Sequence, residues 1–181
     1  MTHRTQSASM VCALVSVLML LMGSASVARS APRDRGKAPS LKTVQKKIET
    51  AAKCSALIPE RCRAFQELIS YGDKGVGVVR QALVKNEGRH RAVAVTVLGH
   101  LKATDMGPQL LGLLNDRDRG VRVAAIQAVG RLQPPGTTEA LARAIGSENL
   151  NEKLVAAVAL GRTGSPGAVE PLMTALSYFH P

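Results

Sequence analysis

Three stretches in the second half of this chain repeat one another in register: 91–99 (RAVAVTVLG), 122–130 (RVAAIQAVG) and 153–161 (KLVAAVALG). Their last residues, Gly99, Gly130 and Gly161, step by 31 positions. The same step runs through Val79, Leu110, Leu141 and Leu172, and again through Leu83, Leu114, Ile145 and Leu176. Self-similarity at such a period means small units, none able to bury its apolar face alone, that gain a continuous core by stacking. A chain built this way has few folds open to it.

Each unit reads as helix, turn, helix. Apolar spacing predicts first helices over about 60–71, 89–101, 120–132 and 151–162, and second helices over about 75–85, 106–115, 137–146 and 167–179. Turns carry Gly72, Thr104 and Asp105, Pro134 to Gly136, and Gly164 to Gly167. Asp105, Thr137 and Ser165 are placed to cap the second helices, with Pro166 suited to a first helical position. The first unit is the least regular: Leu68 stands in the glycine column and Gly72 follows four residues later. Its first helix is therefore expected to run a turn longer. Before the repeats, Leu41, Val44, Ile48, Ala51 and Ala52 recur at helical spacing between lysines. They predict an amphipathic helix over 41–57 that closes the stack with a polar outer face.

The residues Asp118, Val121, Arg122, Ala124, Ala125, Ala128, Val129, Gly130 and Leu132 resemble the first helix of HEAT repeats, in the short, alanine-rich form of the phycobilisome lyases. The resemblance is close over 89–177 and looser over 60–88. It implies an all-α, right-handed solenoid: a capping helix over 41–57, then units over about 60–88, 89–119, 120–150 and 151–181. It also implies a protein that binds other proteins. The lyase relatives leave a second role open, that of an accessory subunit of a lyase-like or chromophore-handling enzyme. Fold alone assigns neither.

The chain opens with His3 and Arg4, an apolar run over 11–22, and small residues over 25–28. This is the layout of a secretory signal peptide over 1–28, and the run is short of the roughly 20 residues a spanning helix needs. An uncleaved anchor is the other outcome. Residues 29–40 read as a flexible basic linker with Pro32, Pro39 and Gly36. Of the formal net charge of +11, much lies early, since 29–60 hold eight Lys or Arg against three acids. Such an arm suits anionic envelope components or an acidic partner, and equally a well-solvated tether. The expected location is a bacterial periplasm or envelope.

Cys54 and Cys62 follow the leader. In an exported chain a pair of thiols reads as a disulfide, with two buried free thiols as the alternative. Pro59 between them lets the chain turn back. A spacing of eight fits no zinc pattern. The four histidines, His3, His90, His100 and His180, show no metal spacing, and no catalytic triad, phosphate loop or nucleotide-binding glycine motif is present. No enzymatic activity and no cofactor are expected.

Stacked at the repeat step, Arg91, Arg122 and Lys153 form a basic column beside Glu87, Asp118 and Asn149, four residues earlier. The resemblance implies an acid–base ladder between units, and i,i+4 spacing supports it locally. His100, Arg131 and Arg162 sit near the ends of first helices, where the dipole favours cations.

The resemblance to HEAT repeats implies that the second helices line the concave side. With Val79, Leu83 and their equivalents inward, the outer face carries Gln81, Lys85, Asn115, Asp116, Glu139, Arg143, Glu170, Thr174 and Tyr178. All of these but Asp116 are the candidate partner-binding residues of this face. Mixed signs and the absence of Trp argue against a nucleic-acid groove. The first helices are apolar almost all round. Val93, Val97 and Val155 form either a second contact patch or packing between neighbours. The expected partner is another protein, held by a non-enzymatic scaffold or adaptor.

Overall fold

The computed structural model describes residues 38–54 and 62–177, all within one compact unit, Asp34–Pro181. Among them every regular element is a helix: α1 Leu41–Lys53, α2 Arg63–Ser70, α3 Asp73–Lys85, α4 Gly88–His100, α5 Gly107–Gly112, α6 Arg119–Leu132, α7 Thr137–Ile145, α8 Leu150–Thr163 and α9 Val169–Ser177. Short 3-10 turns cover Thr104–Met106, Leu113–Asn115 and Pro166–Ala168. From α2 onward, first and second helices alternate. The chain is an all-α, solenoid-like stack.

The glycine column sets the stack. First helices α4, α6 and α8 lie side by side, and each second helix packs on the first helix that follows it. A Cβ at Gly99 would meet the Ala128 Cβ at 2.9 Å, and one at Gly130 would meet the Ala159 Cβ at 2.6 Å. Glycine facing alanine is what lets the helix backbones come this close. Inward from that contact, Val79, Leu110 and Leu141 are fully buried, while their equivalent Leu172 in the last unit is half-buried.

Capping follows a different set of residues from those expected. The Asp118 carboxylate accepts from the Val121 amide at 3.1 Å, and Asn149 accepts from the Asn151 and Glu152 amides at 3.1 and 3.2 Å. These caps start first helices. Asp105 instead pairs with Arg80. The Thr137 hydroxyl donates to the Pro134 carbonyl at 2.5 Å, and Ser165 precedes its turn without a side-chain cap.

Two helices differ from expectation. The helix expected over 106–115 is broken into α5 and two flanking 3-10 turns. Gly107, followed by Pro108, lies where a Cβ would meet the Pro134 Cβ at 2.7 Å, and Gly112 loosens the far end. The first helix of the first unit is not longer. It ends at Ser70, because Gly72 at φ 55° turns the chain at once into α3. Within the predicted 41–57 helix, α1 covers Leu41–Lys53, and 55–57 lie outside the described residues. Ser40 caps α1, accepting from the Thr43 amide at 3.2 Å, and Val44, Ile48, Ala51 and Ala52 form its buried stripe.

Candidate interaction surface

The basic column does bridge units, but through acids other than the expected ones. Arg91 reaches forward to Asp116 at 2.9 Å, and Arg122 reaches forward to Glu152 at 2.7 Å. Glu87 pairs with Arg117 instead, and Asp118 and Asn149 are used as caps. Asp116, expected to face outward, is therefore buried in an ion pair at the end of its 3-10 turn.

The second of these bridges is the more complete. Arg122 donates through Nε and Nη2 to one Glu152 oxygen, and Ser147 Oγ lies 3.0 Å from the other. The remaining Arg122 nitrogen, Nη1, donates to the Asp116 carbonyl at 2.9 Å. The Arg122 hydrogen bonds hold the Glu152 carboxyl below the ordinary glutamate range, against the opposing push of burial, and raise the guanidinium in turn.

This bridge borders a cleft of about 450 Å³ whose wall includes Leu111, Leu114, Asn115, Arg143, Ala144 and Ser147. A second hollow of about 310 Å³ lies between Ala142, Ile145, Gly146, Glu170, Pro171 and Thr174. The structure thus groups the candidate residues in pairs: Asn115 with Arg143, and Glu170 with Thr174. Gln81, Lys85 and Glu139 are exposed but border neither hollow. Tyr178 lies outside the described residues. Arg122 and Glu152 were missed as wall residues; their only signal was a basic column with an acid thirty positions on.

The valine patch needs correcting. Val97 is fully buried, in the column of Ala128 and Ala159, and cannot face a partner. Val93 and Val155 are half-buried against the core. On α4 and α6 the alanine-rich first helices bury both flanks on their neighbours, so packing accounts for Val93 and Val97; Val155 lies on α8, whose other flank is exposed.

The Cys54 and Cys62 sulfurs stand at disulfide distance, 2.12 Å, with Cα atoms 6.1 Å apart. Cys54 ends α1 and Cys62 begins α2, so the pair joins the capping helix to the first unit. Lys47 on α1 also pairs with Glu67 on α2, which Arg63 holds at 2.9 Å from its own helix. Lys47 above all, then Arg63, lowers the Glu67 carboxyl. Among the described residues no helix is long and apolar enough to cross a membrane.

Comparison with curated proteins finds no match. The family profile for HEAT repeats matches twice, over 76–153 and 107–178, together more than half of the 181 residues. Both matches fall on the regular units and leave α1 and α2 outside. With the 31-residue step and the stacked helical pairs, they establish that the chain belongs to the HEAT-repeat family.

Proposed function

We propose that this protein is an exported, non-enzymatic adaptor that holds another protein against its second helices. The observation that carries the reading is the exposed row Gln81, Lys85, Asn115, Glu139, Arg143, Glu170 and Thr174. It is polar, of mixed sign and supplied by four successive units, as an extended protein-binding surface would be. The ion-paired groups beside the larger cleft satisfy one another, so that cleft offers a partner shape and Arg143 rather than reactive groups. This disfavours the alternative of an accessory subunit handling a chromophore. Export rests on the leader-like 1–28, outside the described residues, and is supported by the paired cysteines. The basic arm over 29–40 would add contact with anionic envelope components.

Photo-crosslinking in the native host tests the surface. A crosslinking residue at Asn115, Arg143 or Thr174 should trap one common protein in the envelope fraction, and one at exposed Lys102 should not. Equal trapping from Lys102, or none from the second helices, rejects the proposed face.

A further inference from the structure

The two ends of the stack are finished differently. At the first, α1 turns Lys42, Lys46 and Lys53 to solvent, as a terminal unit should. At the other, the face that each first helix offers to its next neighbour is open among the described residues. On α4 that face is closed, with Thr96 and Gly99 buried; on α6 Gly130 is buried against Ala159. On α8 those two columns hold Val158, exposed by 56%, and Gly161, where a Cβ would meet nothing within 4 Å; Leu150 and Leu154, exposed by 57% and 47%, continue the stripe toward the start of the helix. The second helices repeat the contrast: Ile145 is 4% exposed and its equivalent Leu176 is 58%. Met173 and Val169 extend the same apolar surface along α9. Exposed apolar side chains grouped in this way mark a contact surface.

We propose that this face binds a second copy of the chain by two-fold symmetry, with the two α8 helices antiparallel. Leu150, Leu154, Val158 and Gly161 follow one another at helical spacing and form one stripe along α8. An antiparallel pair centred between positions 155 and 156 sets Leu150 opposite Gly161 of the second copy. The open space at that glycine receives it. Leu154 then lies against Val158 of the second copy, and the stripe is complementary to itself, as a two-fold interface requires.

Charge selects the same arrangement. Exposed Glu148 precedes the start of α8 and exposed Arg162 is near its end, so antiparallel pairing brings Glu148 beside Arg162 of the second copy at both ends of the seam. A parallel pair would set like charges together. Head-to-tail stacking would press this apolar face onto the lysine-rich outer side of α1. Both are disfavoured.

The test is the mass of the protein, purified as its host processes it, by light scattering and native mass spectrometry across a concentration series. A concentration-dependent dimer is expected. Leu154→Glu and Val158→Glu should each raise the dissociation constant at least tenfold while leaving the monomer's melting temperature within a few degrees, since both positions are exposed. Glu148→Arg and Arg162→Glu should each weaken the dimer, and the two together in one chain should restore it. Failure of that restoration overturns the antiparallel register. A monomer at every concentration overturns the proposal, whether amide exchange shows α8 covered by residues 1–37 or 178–181 or leaves it unprotected. A dimer indifferent to Leu154→Glu and Val158→Glu, or a different protein seated on α8, overturns it equally.

Discussion

The joints between α4, α6 and α8 and the joint at the start of the stack do the same job by different means. In the later joints glycine faces alanine and the helices are held by closeness of backbone. At the first joint the glycine column holds Leu68, fully buried, and α1 packs across α2, α3 and α4. Side chains and cross-ties replace closeness there: Lys47 to Glu67, the Cys54–Cys62 pair, and Arg89 donating to the Ala52 carbonyl at 3.4 Å. Phe65 meets His100 edge to face, ring centres 5.3 Å apart, across the same junction. The later joints carry ion pairs too, Arg91 to Asp116 and Arg122 to Glu152, so what sets the first joint apart is the larger side chain in the glycine column and the paired cysteines.

The ion pair across the last joint should give the largest effect. Arg122→Ala leaves Glu152 buried without its cation and should cost about 3–5 kcal/mol by chemical denaturation. The same pair sets an acid sensitivity. The carboxyl titrates below its unfolded value, so its contribution is whole above about pH 4.3 and is lost as pH falls through the lowered folded value. Glu152→Gln should therefore lower stability at neutral pH and make the acid loss shallower. An unchanged acid profile would mean that the bridge is not the group titrating.

The repeat step, the inward columns and the HEAT resemblance were readable because they recur, and recurrence survives any single irregular residue. The partners of Arg91 and Arg122 were not. They depend on the 3-10 turn Leu113–Asn115, which ends the second unit so that Asp116 lies beneath Arg91, and on Glu152, in the first turn of α8. Neither acid repeats at the common step. The burial of Val97 was hidden for a related reason. Helical periodicity tells which sides of a helix are apolar, but not how many neighbours cover it. Of the candidate surface, the exposed polar row was legible; its grouping around two hollows came from the broken α5 and the end of α7.

At the first joint, Cys54→Ser removes the cross-tie and should lower stability by about 2–3 kcal/mol, the loss expected for opening a loop of this size. Reductant should have the same effect on the native chain and none on the variant. If non-reducing intact mass shows both thiols free, the first joint rests on Leu68, α1 packing and the ties from Lys47 and Arg89, and the contrast between joints narrows. At the third joint, Gly130→Ala presses a Cβ into Ala159, whose own Cα would lie 3.1 Å away, so backbone has to move. Its cost should be about 1–3 kcal/mol.

The smallest effect has the opposite sign. Gly161 occupies the column of Gly99 and Gly130, in α8, with nothing within 4 Å of where a Cβ would stand. Gly161→Ala there meets no neighbour and removes the entropy that glycine loses in a helix, so the isolated monomer should gain about 0.5–1 kcal/mol. The measurement has to be made well below the concentration at which copies associate, because a second copy's Leu150 would contend for that space. A gain at Gly161 beside losses at Gly99→Ala and Gly130→Ala would show that the column's glycines serve the approach of the next helix and not the helix they sit in. Three losses of similar size would instead place the requirement inside each helix, and the distinction between closely approached joints and open ends would fail.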